Sequence, residues 1–224
     1  MTYVMSDIHG RYEKYREMLD KISLKDSDEL YVIGDMIDIG NRPVDVLLDM
    51  SMRANVFPVL GDHEYMALKI LKKMKKSDKN QKELSGMLEG WMKDGGGSTA
   101  LGLAGLGEED REALIEYLEE IPLYEEITVS GKRYILVHAG LANFSREKLL
   151  DDYTPEELVY EKTDMSKRYF DDATIVSGHT VLKADNVLQR KAVYGNGNIS
   201  INCGETENEP LCAIRLDDGQ EYYV

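Results

Sequence analysis

Short apolar runs alternate with amphipathic stretches through the first third of the chain. The runs Tyr3–Met5, Leu30–Ile33 and Val56–Leu60 are rich in β-branched and aromatic residues, which is typical of strands. Between them, apolar residues recur at helical spacing over Arg11–Ile22 and again behind Pro43, a residue that is tolerated in the first turn of a helix. This order of strand, helix, strand, helix and strand predicts right-handed crossovers and a largely parallel sheet.

The middle of the chain lacks this alternation and is predicted to be helical. Helical periodicity covers Glu64–Met74, Glu83–Lys93 and Glu108–Glu119. A polar, lysine-rich turn is expected at about residues 72–82, and the glycine-rich stretch Asp94–Thr99 is expected to be a loop. Trp91, the single tryptophan, precedes this loop and is either a core anchor or a wall of a substrate groove. Because strand-forming sequence resumes afterwards, we interpret residues of about 65–122 as a helical insertion in one domain that spans residues 1–224.

Strand signals return after the helical segment. Two apolar runs flank Ser130-Gly131, which is typical of a β-hairpin. Thr154 followed by Pro155 is typical of the start of a helix, and Thr174–Ser177 is a further predicted strand. Four short strands with turns between them are predicted near the end of the chain: Val187–Arg190, Ile199–Cys203, Leu211–Leu216 and Glu221–Val224.

Composition is that of a globular protein without a membrane span. The chain is 42% hydrophobic and 31% charged, its formal net charge is −15, and no apolar run approaches the roughly 20 residues that cross a bilayer. This acidity disfavours nucleic acid and anionic membranes as partners, although a bound metal ion can still attract a small phosphorylated ligand. Because the N-terminal residues lack the pattern of a signal peptide, we expect a cytoplasmic protein in which Cys203 and Cys212 are free thiols.

Side chains that bind metals follow directly after five of the predicted strands. In an open α/β sheet, ligands bind beyond the carboxyl ends of the strands, so these side chains are expected to meet. All four histidines of the chain belong to this set. Its members are Asp7 and His9, Asp35, Asp62 and His63, His138, and His179.

The set combines carboxylates with imidazoles and contains no thiolate. Such ligands suit manganese, iron, zinc or a similar divalent ion better than calcium or copper(I), and manganese is the ion that we expect. Six ligand groups, one of them a shared carboxylate, are too many for one ion and predict two ions roughly 3.5–4 Å apart. Two ions at that distance clamp a phosphoryl oxygen and activate a water molecule for attack, which is the chemistry of a phosphoester hydrolase.

Five short motifs contain these residues, and they cover about residues 5–180. They are Ser6-Asp7-Ile8-His9-Gly10, Gly34 to Gly40, Gly61-Asp62-His63-Glu64, His138-Ala139-Gly140 and Gly178-His179-Thr180. In this order they resemble the pattern of the phosphoprotein phosphatase superfamily of calcineurin-like metallophosphoesterases, in its bacterial serine/threonine phosphatase branch. The fold that this resemblance implies is a four-layer α/β/β/α sandwich, in which two facing mixed β-sheets are flanked by helices.

The resemblance also implies an activity and a role for each residue of the motifs. The implied activity is hydrolysis of phosphomonoesters, of the protein serine/threonine phosphatase type, by attack of a metal-activated hydroxide. His63 would be the general acid that protonates the leaving oxygen, and Asp38 would orient and charge His63. The implied metal ligands are Asp7 and His9 for the first ion, Asp35 as the bridge, and Asp62, His138 and His179 for the second ion.

Three positions depart from the family pattern. Ile39 stands where the family has an arginine that contacts phosphate, and Arg42 is either its replacement or a surface residue. Asp62 stands where the family has asparagine, and its extra negative charge predicts tighter metal retention and weaker attraction for a phosphate dianion. Lys162 lies where the family often has another phosphate-binding arginine, and it is either a point charge for phosphate or a solvated helix lysine.

Three functions are open at this point. The first is the phosphomonoesterase, acting on a phosphorylated protein or a small phosphoester. The second is a hydrolase of dinucleoside polyphosphates such as diadenosine tetraphosphate, which is disfavoured because Arg111 is the only arginine of the helical insertion. The third is a metal- and phosphate-binding regulatory protein with weakened catalysis, which the residues at Ile39 and Asp62 keep open.

Overall fold

Twelve β-strands and seven α-helices are present in the described part of the chain. The structure is a computed structural model and describes residues 1–75 and 81–224. The strands are β1 (Thr2–Met5), β2 (Glu29–Ile33), β3 (Val56–Val59), β4 (Tyr124–Val129), β5 (Lys132–Val137), β6 (Ala173–Ser177), β7 (Lys183–Ala184), β8 (Val187–Leu188), β9 (Val193–Tyr194), β10 (Asn198–Ser200), β11 (Cys212–Arg215) and β12 (Gln220–Tyr223). The helices are α1 (Tyr12–Ile22), α2 (Pro43–Ser51), α3 (Asp62–Lys75), α4 (Gln81–Lys93), α5 (Gly97–Gly105), α6 (Glu108–Glu120) and α7 (Pro155–Val159).

The strands form two mixed sheets of five strands each and one short ribbon, β7–β8. The order in the first sheet is β12-β11-β1-β2-β3, and in the second it is β4-β5-β6-β10-β9. In the first sheet β1, β2 and β3 are parallel, as predicted, but β11 pairs in the antiparallel sense with both of its neighbours, β1 and β12. The expectation of a largely parallel sheet is confirmed for β1 to β3, while the complete sheet is mixed because β11 runs against its two neighbours.

Alternate residues of β1 point to two different apolar layers, as the pleat of a strand requires. Tyr3 and Met5 pack with the helices of the first sheet, whereas Val4 packs with residues of the second sheet such as Leu136 and Val176. A third apolar layer joins the outer face of the second sheet to α7, through residues such as Leu158. The layers are thus helix, sheet, sheet and helix, which confirms the predicted four-layer sandwich.

Helices α3 to α6 occupy the predicted helical segment. The expected loop Asp94–Thr99 is wrong in part, because α5 begins at Gly97 and includes Thr99. Residues 76–80, which belong to the predicted lysine-rich turn, lie outside the described residues. Trp91 of α4 is buried in the same core as the first sheet.

The second half of the fold follows most of the local sequence signals. The hairpin at Ser130-Gly131 is confirmed by antiparallel pairing of β4 with β5. Thr154 caps α7, since its hydroxyl accepts from the backbone N–H of Glu157 at 3.4 Å. Three of the four predicted late strands are shorter than predicted, and β12 has the predicted length but begins one residue earlier. The sequence does not predict β7 and β9, because two residues carry no periodicity. Cys203 and Cys212 are free, buried thiols, as predicted. No helix in the described part of the chain is long and apolar enough to cross a membrane.

Candidate metal centre

The turns that follow β1 and β2 are hydrogen-bonded to each other beyond the carboxyl ends of these strands. The backbone N–H of Asp7 donates to the carbonyl of Gly34 at 3.1 Å, and that of His9 donates to the carbonyl of Asp35 at 2.8 Å. Gly34 has a φ of +84°, and a Cβ atom on it would lie 2.2 Å from Nδ1 of His138. A glycine is therefore required here, both for the backbone and for the approach of the histidine ring.

Four side chains form one group that could hold a metal ion. Their ligand atoms all lie within 4.8 Å of one another, and they come from Asp35, Asp62, His138 and His179. Nε2 of His138 is 2.9 Å from Asp62 Oδ1 and 3.4 Å from Asp35 Oδ1. Nδ1 of the same ring lies 3.0 Å from the carbonyl of Ile33, which orients Nε2 toward the group. Burial alone would raise the pKa of Asp62, but the hydrogen bonds with His138 and His179 hold that pKa below its usual value.

A second group shares Asp35 with the first. Its ligand atoms, from His9, Asp35 and His63, also lie within 4.8 Å of one another. Nε2 of His9 is 3.5 Å from Asp35 Oδ2, while Nδ1 of His9 lies 3.2 Å from the carbonyl of Ile37. Burial lowers the pKa of His9, and the nearby His63 lowers it further, so His9 is held in the neutral form that binds metals. Oδ1 of Asp35 thus faces His138 and Oδ2 faces His9, an arrangement in which one carboxylate could contact both ions.

Asp7 lies beside these groups, and other parts of the protein hold its carboxylate. Its Oδ1 accepts from the side-chain amide of Asn202 at 2.9 Å and from the backbone N–H of His179 at 3.1 Å. Its Oδ2 accepts from the hydroxyl of Ser6. Burial raises the pKa of Asp7, and this effect is larger than that of the nearby His138, whose charge lowers the pKa. The contact with Asn202 was not foreseen, because an asparagine in a short strand-rich segment carries no ligand signature of its own.

Asp38 is hydrogen-bonded to Nδ1 of His63, and two other side chains donate hydrogen bonds to Asp38. Asp38 Oδ2 is 2.8 Å from Nδ1 of His63 and also accepts from Nε1 of Trp91 at 2.8 Å. Its Oδ1 accepts from the hydroxyl of Thr99. Burial alone would lower the pKa of His63, but the hydrogen bond with Asp38 and the charge of Asp35 raise it to about 10. Trp91 is only 1% exposed, which supports the first of its two alternatives, a core anchor rather than a wall of a groove. Its indole N–H also holds Asp38 in place.

The backbone at the site lies in the left-handed region at six residues that are not glycine. Such conformations cost energy and concentrate at functional sites. Ile39 is the most unusual of them, since a β-branched residue rarely takes positive φ. Its side chain is 40% exposed, and its N–H donates to the carbonyl of Gly95 at 3.0 Å. The six residues, with φ between 47° and 66°, are Asp7, His9, Asp35, Asp38, Ile39 and His179.

Glu64 is a fully buried carboxylate that binds the backbone of the site rather than its ligands. Its two oxygens accept four N–H groups, at distances between 2.8 and 3.1 Å, from Asp35, Met36, Ile37 and Gly61. It therefore fixes the turn that carries Asp35 against the turn that precedes Asp62. The sequence places Glu64 in a motif but gives no sign of this structural role.

We expect Glu64→Ala to lower the free energy of unfolding by at least about 3 kcal/mol, because four buried N–H donors would lose their acceptor. Urea denaturation of the metal-free protein, followed by circular dichroism, measures this change. Glu17→Ala on the exposed face of α1 is the control and should change the free energy by less than about 0.5 kcal/mol. Equal effects of the two substitutions would contradict the role of Glu64.

Comparison with known proteins agrees with this geometry. The sequence model described as calcineurin-like phosphoesterase matches residues 2–212. The chain belongs to the calcineurin-like phosphoesterase family. A symmetrical bis(5'-nucleosyl)-tetraphosphatase from Buchnera aphidicola subsp. Baizongia pistaciae is 29% identical to it, over 95% of this chain and 76% of the relative. The enzyme of the same name from Wigglesworthia glossinidia brevipalpis is 30% identical, over 62% of this chain and 44% of the relative, so that match spans less than half of the relative's length.

A solved structure shows the same fold. A protein provisionally named a diadenosine tetraphosphatase superposes with a TM-score of 0.68, covering 100% of this chain and 92% of that one. The sequence identity is 20%, so this likeness shows the fold alone. It confirms the arrangement of two mixed sheets flanked by helices in this calcineurin-like phosphoesterase.

Arg42, a candidate for phosphate binding in this calcineurin-like phosphoesterase, is bound to carboxylates at the surface. Its Nε donates to Asp45 Oδ2 at 2.8 Å, and its Nη1 donates to Glu13 Oε1 at 2.6 Å. The guanidinium also stacks over the ring of Tyr12, 4.4 Å from its centroid. These contacts support the surface alternative for Arg42 rather than a replacement of the family arginine at Ile39.

Lys162 lies in a segment that is bound to the turn after His138. The backbone N–H and the hydroxyl of Thr163 both donate to the carbonyl of Ala139, at 3.1 and 2.8 Å. The side chain of Lys162 is exposed, and no carboxylate within residues 1–75 and 81–224 forms an ion pair with it. Because α7 ends before Lys162, the interpretation as a helix lysine is wrong, and its ammonium group is available to an anion.

Proposed function

We propose that the protein is a two-metal hydrolase of dinucleoside polyphosphates, which cleaves a phosphoanhydride bond between two interior phosphates. Membership of the calcineurin-like phosphoesterase family and the position of Asp35 in both ligand groups support metal-dependent phosphoester hydrolysis. The choice of substrate rests on the Buchnera relative, a bis(5'-nucleosyl)-tetraphosphatase that aligns with 95% of this chain. The second candidate is hydrolysis of phosphomonoesters, of the protein serine/threonine phosphatase type. The five sequence motifs favour this second candidate.

The proposed ligands are Asp7, His9 and Asp35 for one divalent ion and Asp35, Asp62, His138 and His179 for the other. When bound, such ions polarise phosphoryl oxygens and lower the pKa of a water molecule. These ligands are buried or half-buried carboxylates and imidazoles, and none is a thiolate. Such a set fits manganese, iron or zinc, and manganese remains the predicted ion. Cytoplasmic localisation also remains a prediction.

The protonated ring of His63 is proposed to donate a proton to the leaving oxygen. Its Nδ1 is bound to Asp38, so Nε2 is the nitrogen that is free for this transfer. The carboxylate of Asp38 stabilises the imidazolium form and fixes the ring plane. Lys162 is proposed to bind a phosphate that is not being cleaved, whereas Arg42 would have to break two ion pairs to do so.

Steady-state kinetics with manganese and three substrates tests the proposal. We expect kcat/KM for diadenosine tetraphosphate to exceed the values for a phosphoserine peptide and for 4-nitrophenyl phosphate by at least about tenfold, with ADP as the only nucleotide product. A phosphopeptide that is cleaved faster would establish the second candidate instead. No turnover of any of the three, with two metal ions bound, would contradict both enzymes and leave the regulatory metal- and phosphate-binding protein.

We expect Ile39→Arg to raise kcat/KM for 4-nitrophenyl phosphate by about tenfold, because a guanidinium binds phosphate through two parallel hydrogen bonds. The backbone can accept this change, since arginine is not β-branched and Ile39 already has positive φ. Adding Asp62→Asn should raise the value further, because it removes one negative charge. Arg42→Gln is the control and should leave kcat/KM within about twofold. If Ile39→Arg and Asp62→Asn together give no gain, the charge argument for these two positions is wrong.

A further inference from the structure

Arg11 is a fully buried arginine that ties a loop near the end of the chain to the turn that carries Asp7. Each of the five N–H groups of an arginine can donate one hydrogen bond. Here five bonds go to backbone carbonyls, so none is left for a substrate. The acceptors are Ile8 and Asp7 on one side, and Gly204, Thr206 and Glu209 on the other. The loop 204–209 is therefore held firmly against the first ligand turn.

Glu205 lies in this loop beside the candidate metal centre. The side-chain amide of Asn202 donates to Asp7 Oδ1 at 2.9 Å and to Glu205 Oε1 at 3.4 Å. Because both oxygens are bound to one nitrogen atom, they lie no more than 6.3 Å apart, the combined length of the two bonds. Burial raises the pKa of Glu205, the charge of Asp7 raises it further, and His63 is near enough to act in the opposite direction.

Two positive groups, the buried guanidinium of Arg11 and the ring of His63, attract the charge of Glu205 from a distance without pairing with it. No lysine, arginine or histidine of the described residues forms an ion pair with it. The other two glutamates of the loop differ from it, since Glu209 is paired with Arg190 and Glu207 is exposed to solvent. Glu205 is therefore a half-buried carboxylate without an ion-pair partner among the described residues, and one amide group links it to the candidate ligand Asp7.

We propose that Glu205 is a specificity-determining residue, which favours phosphoryl groups with one negative charge over the dianion of a phosphomonoester. The proposal rests on the proposed function, because each interior phosphate of a dinucleoside polyphosphate carries a single charge. A fixed carboxylate repels a dianion more strongly than a monoanion, by the interaction of one extra unit charge. Over several ångströms in a half-buried site, that interaction corresponds to about a tenfold effect on relative affinity.

Two aryl esters with the same leaving group test this preference. At pH 8, 4-nitrophenyl phosphate is a dianion, and bis(4-nitrophenyl) phosphate is a monoanion. In the metal-loaded protein, Glu205→Gln should raise the ratio of kcat/KM for the monoester to that for the diester by about tenfold. Calorimetry with inorganic phosphate at the same pH should show binding about tenfold tighter, with metal content unchanged. An unchanged ratio, an equal loss on both esters, or loss of metal would overturn the proposal.

Glu207→Gln is the matched control, since it removes the same charge from an exposed side chain of the same loop. We expect it to leave both the ratio and the affinity for phosphate unchanged. A shift as large as that of Glu205→Gln would mean that overall charge, not Glu205, sets the preference. Failure of the proposed function is visible separately, because the wild-type protein would then show no preference for diadenosine tetraphosphate, while phosphate calorimetry would still compare the two variants.

Discussion

Asp35→Ala is expected to reduce the bound metal from two ions per chain to at most one and to lower turnover at least about 1000-fold. Asp35 is the one residue that belongs to both ligand groups, 3.4 Å from Nε2 of His138 and 3.5 Å from Nε2 of His9. Without it, two divalent ions would face each other with no carboxylate between them to offset their repulsion. Metal analysis of the purified protein and steady-state kinetics measure the two effects.

Two further variants make this result specific. Asp35→Asn keeps the shape of the side chain and one ligand oxygen, so we expect it to retain one ion and to lose nearly as much activity as the alanine variant. Asp20→Ala removes an exposed carboxylate on α1 and should leave both metal content and turnover unchanged. If Asp35→Ala still binds two ions, the bridge is provided by other groups and the assignment of Asp35 is wrong.

His63→Ala is expected to lower turnover at least about 100-fold while two metal ions remain bound. Loss of the ring removes the proton donor but none of the proposed metal ligands. In a series of aryl phosphates the loss should grow as the leaving phenol becomes less acidic, because a poorer leaving group depends more on protonation. Kinetics across the series, with metal analysis of the same samples, measures both effects.

The structure also shows how this assignment could fail. His63 lies close enough to His9 and Asp35 to bind a metal ion with them. Loss of one ion in His63→Ala would therefore identify His63 as a ligand rather than as the general acid. Asp38→Asn is the companion variant: it keeps a hydrogen-bonding group near Nδ1 of His63 but removes the charge, so turnover should fall less and metal content should not change.

The meeting of most of these side chains at one place was predictable from the sequence because its signal is local, whereas their binding of metal stays a prediction. Each ligand follows an apolar strand, and strands that run in parallel bring their carboxyl ends to one edge, as they do for Asp35 and Asp62. The fold was also predictable from the sequence, since the motifs and their order resemble those of a family whose members share one architecture. The sequence predicts β11 and β12 as strands, but β11 pairs with β1, which is far away in sequence, and pairing over that distance leaves no local pattern.

The residues that support the ligands were harder to predict, because they act through ordinary hydrogen bonds over long distances in sequence. Asn202 holds Asp7 from 195 residues away, and Thr99 holds Asp38 from 61 residues away. The sequence also predicts a loop at Thr99, because the three consecutive glycines before it disfavour a helix. In the fold, close packing against Trp91 outweighs this low helix propensity of glycine. A Cβ atom on Gly96 would lie 2.3 Å from Nε1 of Trp91, so the glycine at this position is what allows α5 to begin directly after it.

The pairing of β1 with β11 bears on how the protein folds as it is synthesised. Tyr3 lies opposite Arg215, so β1 lacks one neighbour until residues far along the chain, those of β11, have been synthesised. Arg11 likewise has no acceptors for most of its hydrogen bonds until the loop 204–209 has emerged. Contacts between such distant segments form slowly, and a nascent chain exposes its unpaired edges meanwhile. The candidate metal centre is therefore complete only after Asn202, which lies 195 residues beyond Asp7, has been synthesised.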